Sequence, residues 1–126
     1  SSGREEAREK ALGTLFNLSF ADENRVYMGS KDVGLVPALV AVVSSDSKEA
    51  RVKALATLWN LSFANENKVY MGSQDLGLVQ ALVAVVSSDS SGEAGMKALE
   101  TLWNLSFEER LESMVWERYG LYLLPS

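Results

Sequence analysis

A chain of 126 residues, 47% apolar and 23% charged, has the size and balance of one ordinary folded domain. Its net charge of −5 argues against nucleic acid and anionic membranes as partners, since both require a basic face. The chain has no His and no Cys, and so lacks the commonest general base, the best nucleophile and the usual transition-metal ligands. No enzyme activity, cofactor or metal is expected.

The first segment with a clear pattern is 1–20, which ends in Thr14-Leu15-Phe16-Asn17-Leu18-Ser19-Phe20. With Trp in place of Phe16, the same stretch returns as TLWNLSF at 57–63 and again at 101–107. Between these anchors, 17–47 and 60–90 differ at only five of 31 positions: Asp22/Asn65, Arg25/Lys68, Lys31/Gln74, Val33/Leu76 and Pro37/Gln80. The Asn anchors lie 43 and then 44 residues apart, with the extra residue in the 87–92 loop. A period of this length belongs to stacked helical repeats built of two or three helices.

Each unit reads as three helices. The first is short, at 24–28 and again at 67–71. It breaks at Gly29-Ser30 and Gly34, and in the copy at Gly72-Ser73 and Gly77, where Gly and Ser favour turns. The second is the apolar run 35–43, with Pro37 in its first turn, where a missing N–H costs nothing. Its four Val residues would also suit a buried strand; a repeating helical context predicts helix. The third and longest is 48–62, opened by the capping residues Ser44-Ser45-Asp46-Ser47 with Glu49 in the first turn. The longest apolar run has nine residues, too few to span a bilayer. Without a secretion signal the chain is expected inside the cell, in cytoplasm or nucleus.

The third helix has two faces. At about 100° per residue from Asn60, Ala50, Ala54, Leu55, Leu58 and Leu61 fall between roughly 80° and 220°, which predicts a core stripe. Ala7, Ala11, Leu12, Leu15 and Leu18 repeat it, as do Ala94, Ala98, Leu99, Leu102 and Leu105. The other face carries Asn17, Asn60 and Asn104. Thr14, Thr57 and Thr101 lie three residues before them, Lys10, Lys53 and Lys97 seven before, and Glu6, Glu49 and Glu93 eleven before. The Glu–Lys spacing of four predicts self-paired charges on a solvated surface.

The stretches ENRVYM, GLVPALVAVVSSD and EARVKALATLWNLS together resemble the armadillo repeat family, covering most of the chain. TLWNLS is especially similar to repeats of the adenomatous polyposis coli protein. The resemblance implies an all-α fold, a right-handed superhelical solenoid of about three stacked three-helix repeats. On this reading 1–126 is a single domain: 1–20 is a partial repeat holding only a third helix, 21–63 and 64–107 are full repeats, and 108–126 is a partial C-terminal capping segment. It also implies a protein–protein interaction module whose third helices line a concave groove for an extended peptide, with Asn17, Asn60 and Asn104 bonding the ligand backbone. A carboxamide can pair with a peptide group in either direction. Thr57, Thr101, Lys53, Lys97, Trp59 and Trp103 complete the expected groove, and the lysines favour an acidic or mixed peptide.

An architectural reading stands beside it, in which each Asn satisfies carbonyls at its helix end or bridges to the next helix and the repeats form a scaffold or self-assembling fragment. Importin-α-type repeats carry Trp four residues before the Asn; here Gly13, Ala56 and Glu100 stand there. The aromatics Phe16, Trp59 and Trp103 precede each Asn by one residue instead, at the border of core and groove, where packing between repeats is expected. In 108–126, Met114–Leu121 resembles a first helix, and Trp116, Tyr119 and Tyr122 are expected to cap the stack or to join two copies as a homo-oligomer. The three Asn-Leu-Ser triplets fit a glycosylation pattern but lie on helices, so no glycan is expected. Asp22-Glu23 and Glu108-Glu109 lack the spacing of a calcium loop.

Overall fold

The computed structural model describes residues 2–44 and 47–107. These form seven α-helices, with no strand among the described residues: α1 (Ser2–Leu18), α2 (Asp22–Met28), α3 (Leu35–Val43), α4 (Lys48–Leu61), α5 (Asn65–Met71), α6 (Leu78–Ser88) and α7 (Glu93–Leu105). The helical choice for 35–43 agrees with α3 residue for residue. A short 3-10 turn over Gln74–Leu76 precedes α6. The expected C-terminal cap, with Trp116, Tyr119 and Tyr122, lies outside the described residues, as do Ser45 and Asp46.

Local chemistry explains the breaks. Gly34 and Gly77 sit at φ of 77° and 80°, the left-handed region that a residue with a Cβ enters only at a cost, and each feeds the apolar helix that follows. Ser47 caps α4, its Oγ accepting from the Ala50 N–H at 3.3 Å, which satisfies one of the orphan donors of a helix start.

The helices pack by type. α4 touches α1 on one flank and α7 on the other, while α2 and α3 lie against it as well, and α6 packs on α7 and α3. The core runs through this stack and includes Leu39, Leu55, Leu58, Leu61, Met71, Leu78 and Leu82. All five stripe residues of α4 are buried. The outer helices keep only part of the stripe: Ala7, Ala11 and Leu18 of α1 are exposed, and so is Leu99 of α7.

The reason is that the stripe serves two neighbours. Ala50, Ala54 and Thr57 turn toward the preceding third helix, because their counterparts in α1 are exposed while those in α7 are buried. Leu55, Ala56 and Ser62 turn toward the following one: Leu12 and Ser19 are buried in α1, but Leu99, Glu100 and Ser106 are exposed in α7. Each third helix therefore has a leading and a trailing flank, and only a narrow strip between them stays open.

Candidate functional site

That strip determines what each expected groove residue can do. On a helix of 3.6 residues per turn, Glu49 and Lys53 lie within about 20° of the Asn60 direction, whereas Ala56 is buried on the trailing flank. Neighbouring helices on both flanks leave little else exposed. Asn60 sits just inside the leading flank and is 3% exposed. Its Nδ2 donates to Ser19 Oγ on the preceding unit at 2.9 Å. Asn104 does the same to Ser62 Oγ, also at 2.9 Å.

Each serine hydroxyl in turn donates to a carbonyl of its own helix, Ser19 to Phe16 O and Ser62 to Trp59 O, both at 2.6 Å. A hydroxyl has one donor and two acceptor lone pairs, so it can serve both partners at once. The result is a relay in which the Asn of one unit bonds the Ser of the unit before, and that Ser bonds its own helix end. Asn60 and Asn104 thus bridge neighbouring third helices through a serine, the second of the two arrangements in the architectural reading, with the bond running to the preceding unit. The amide nitrogen of Asn60 is committed within the protein and stands inside the fold.

Asn17 differs. No described helix precedes α1, its side chain is exposed, and no described residue bonds it. Thr57 and Thr101 have no exposed surface. Their hydroxyls donate to Lys53 O and Lys97 O at 2.9 and 2.7 Å, the local back-bonding of helical threonines. They pack between helices and present nothing to a groove.

The charges depart from expectation too. Among the described residues the only ion pair is Arg25–Asp22 at 3.4 Å, so none of the spaced Glu–Lys pairs closes. Lys97 instead lays its ammonium over the Trp59 ring, 5.3 Å from the centroid, a cation–π contact across the seam. Trp59 is half-buried beneath it, whereas Trp103 is 67% exposed. Each aromatic also meets the Phe four residues on, at 5.6 Å for Trp59–Phe63 and 5.0 Å for Trp103–Phe107.

An open cleft of about 520 Å³ lies where α1 meets α4, lined by Glu6, Glu9, Lys10, Gly13, Thr14, Asn17 and Lys53. Gly13 is what opens it, because no side chain fills the space between the two lysines. Among the described residues no cluster of carboxylates could hold a metal ion, and no helix is long and apolar enough to cross a membrane.

A second seam was not foreseen. Asn67 of α5 is buried, and its Nδ2 donates to Arg25 O at 2.7 Å and to Leu61 O at 2.8 Å. It joins two first helices and the end of α4. Its counterpart Asn24 makes one such bond, to Leu18 O at 2.9 Å. Opposite Asn67 stands Gly29, whose missing Cβ leaves the space that the carboxamide fills. A signal for the pair was present in the repeated Glu-Asn and Met-Gly dipeptides, but nothing local indicates that the Asn of one unit meets the Gly of another.

The relay predicts a measurable loss. Asn60→Ala should cost about 1–2 kcal/mol, since it removes a buried bond and leaves a serine lone pair unmet. Asn17→Ala should stay within about 0.5 kcal/mol. Chemical denaturation checks both, and a double-mutant cycle of Asn60 with Ser19 should show coupling. Equal effects at Asn17 and Asn60 would mean that the relay adds no stability.

No curated protein and no solved structure gives a match to the chain. Residues 23–63, which span all but the first residue of α2 together with α3 and α4, match the family model of the armadillo/beta-catenin-like repeat, so this segment is similar to an armadillo-type repeat.

Proposed function

We propose that the chain is a protein-interaction module that holds an extended, acidic or mixed peptide against the open strip of its third helices. An armadillo-type repeat points to protein partners in general. The observation that supports a peptide is the cleft at α1 and α4, where the lysines Lys10 and Lys53 have no carboxylate partner, and the exposed Asn17 side chain no hydrogen-bond partner, among the described residues. An extended chain offers a backbone amide and carbonyl at every residue, which a free carboxamide can meet in both senses. In this reading Asn17, Lys53, Lys97 and Trp103 carry the contact. Asn60 contributes through the seam instead, and Thr57 and Thr101 do not take part.

The test is a titration of the isotope-labelled chain with short extended peptides of acidic and of basic composition, followed by amide NMR shifts. Acidic peptides should move resonances around Lys10, Gly13, Asn17 and Lys53, more strongly at low salt. Lys10→Glu with Lys53→Glu should reverse the preference without lowering thermal stability. Shifts scattered away from the cleft, or a charge reversal with no consequence, would remove the proposal.

One observation favours a scaffold with no ligand: two of the three asparagines are spent between units. That reading expects no peptide of either charge to bind.

A further inference from the structure

We propose that the cleft between α3, α4 and α6 binds a carboxylate carried on a short aliphatic stem, held by the guanidinium of Arg51. The cleft measures about 370 Å³; Val43, Ala84 and Val85 give it apolar walls, and Ser44, Ser88 and Arg51 its polar groups. Arg51 lies nine positions before Asn60, about 180° round α4. The cleft therefore faces away from the lysine strip and does not depend on the peptide contact there.

Arg51 is half-buried, and its Nε is fully buried with no hydrogen-bond partner. Among the described residues it is the only buried side-chain nitrogen or oxygen left so. An unmet N–H inside a protein is costly, and more so on a charged group. No carboxylate lines the cleft, and the only ion pair among the described residues is at Arg25. Nε and a neighbouring Nη form the side-on fork that takes both oxygens of a carboxylate. The two hydroxyls are weakly engaged: Ser44 Oγ reaches Val40 O only at 3.5 Å, and Ser88 Oγ is divided between Ala84 O and Val85 O at 3.1 and 3.3 Å. Either can exchange its long bond for a shorter one to an anion, while the apolar walls take the stem. The carbonyl ends of α3 and α6 favour the guanidinium and oppose the anion, which keeps the expected affinity weak.

The next unit shows the alternative. Gly95 holds the place of Arg51 in α7, and the backbone of Asp89 fills the space that its side chain would need. There the chain closes the position with its own loop; at α4 the guanidinium keeps it open and offers a donor to an outside group.

The Arg51 Nε–H resonance of the isotope-labelled chain reads binding directly, once Arg51→Lys has identified it. Sodium butyrate should move it saturably, with a Kd on the order of 1–10 mM, while sodium chloride at equal ionic strength and neutral butyramide should not. Glutamate capped at both ends is the second probe: binding as tight as that of butyrate assigns the carboxylate to a partner's side chain, and rejection assigns it to a free small acid. Ala84→Leu, at an exposed position, fills the cleft from outside the core and should weaken butyrate about tenfold with Arg51 in place. Arg51→Lys, followed through the backbone amides of Ala84 and Val85, should do the same. Lys10→Glu with Lys53→Glu should leave butyrate binding unchanged, which separates this site from the peptide strip. No movement beyond the sodium chloride control, an equal response to butyramide, or undiminished binding in Ala84→Leu overturns the proposal. So does an Nε–H signal that changes in Asp46→Asn without any ligand, since the chain would then supply the carboxylate itself.

Discussion

Gly29→Ala should destabilise the protein by about 3–4 kcal/mol, while Gly72→Ala, in the same Tyr-Met-Gly-Ser context, should change stability by less than about 1 kcal/mol. Both glycines close a first helix with nearly identical backbones, φ −84° and −83°. Either conformation suits alanine, so backbone strain does not decide the outcome. A Cβ on Gly29 would fall on the carboxamide of Asn67. That side chain would have to leave its cavity and lose its bonds to Arg25 O and Leu61 O. A Cβ on Gly72 meets Lys68 O at 3.1 Å, which a small adjustment relieves, and Val69 O at an ordinary 4.0 Å. Thermal unfolding reads the difference, as a fall in Tm of more than about 10 °C for the first and little for the second. If steric conflict is the cause, Asn67→Ala in the Gly29→Ala background should cost much less than the two changes summed. Equal losses at the two glycines would show that the Asn67 latch is not the reason.

Gly95→Ala should cost about 2–3 kcal/mol. Gly95 occupies the position of Arg8 and Arg51 in the other third helices, and it is buried inside α7. Its absent Cβ would collide with the backbone carbonyl of Asp89, and Ser90 Cα would follow at 3.1 Å. The loop carrying the extra residue of the longer repeat thus lies directly over the helix, and only glycine lets it pass. Main-chain atoms cannot swing aside as a flexible side chain would, so the loop has to shift as a whole. Removing Ser91 along with the substitution restores the shorter spacing and should recover most of the loss. Urea midpoints of the single and combined variants settle it; no recovery would mean that loop length and Gly95 are unrelated.

These two glycines show where sequence reading reaches its limit. The core stripe of α4 and the bounds of α3 follow from periodicity, because burial and helical period are both local properties of a segment. Gly34 and Gly77 were readable for the same reason: a turn at positive φ is a local demand. Gly29 was grouped with them as a turn residue, yet its φ is ordinary. The need for glycine there comes from a side chain 38 positions away.

The asparagines follow the same logic. A helical wheel gives the direction of Asn60 but not its neighbour. In a stack with partners on both flanks, the face opposite the main core is not automatically the solvent face. The Glu–Lys spacing likewise fixed where the lysines stand and not what they touch, since Lys97 meets an aromatic ring of the previous unit. The Arg25/Lys68 exchange, mild in charge, is not mild in geometry. Arg25 donates from Nε to Ser19 O at 2.7 Å and lies over Phe63, using a planar fork that an ammonium lacks.

The Asn–Ser relay has a bearing on how such a molecule lengthens. Each unit supplies one amide and one hydroxyl and uses one of each at its borders. Splicing in another copy of 21–63 would therefore create one more bonded pair and strand no buried group, whatever the number already present. Adding a unit thus meets no solvation barrier in this architecture, and the five differences between 17–47 and 60–90 leave the serine and the asparagine of the relay untouched.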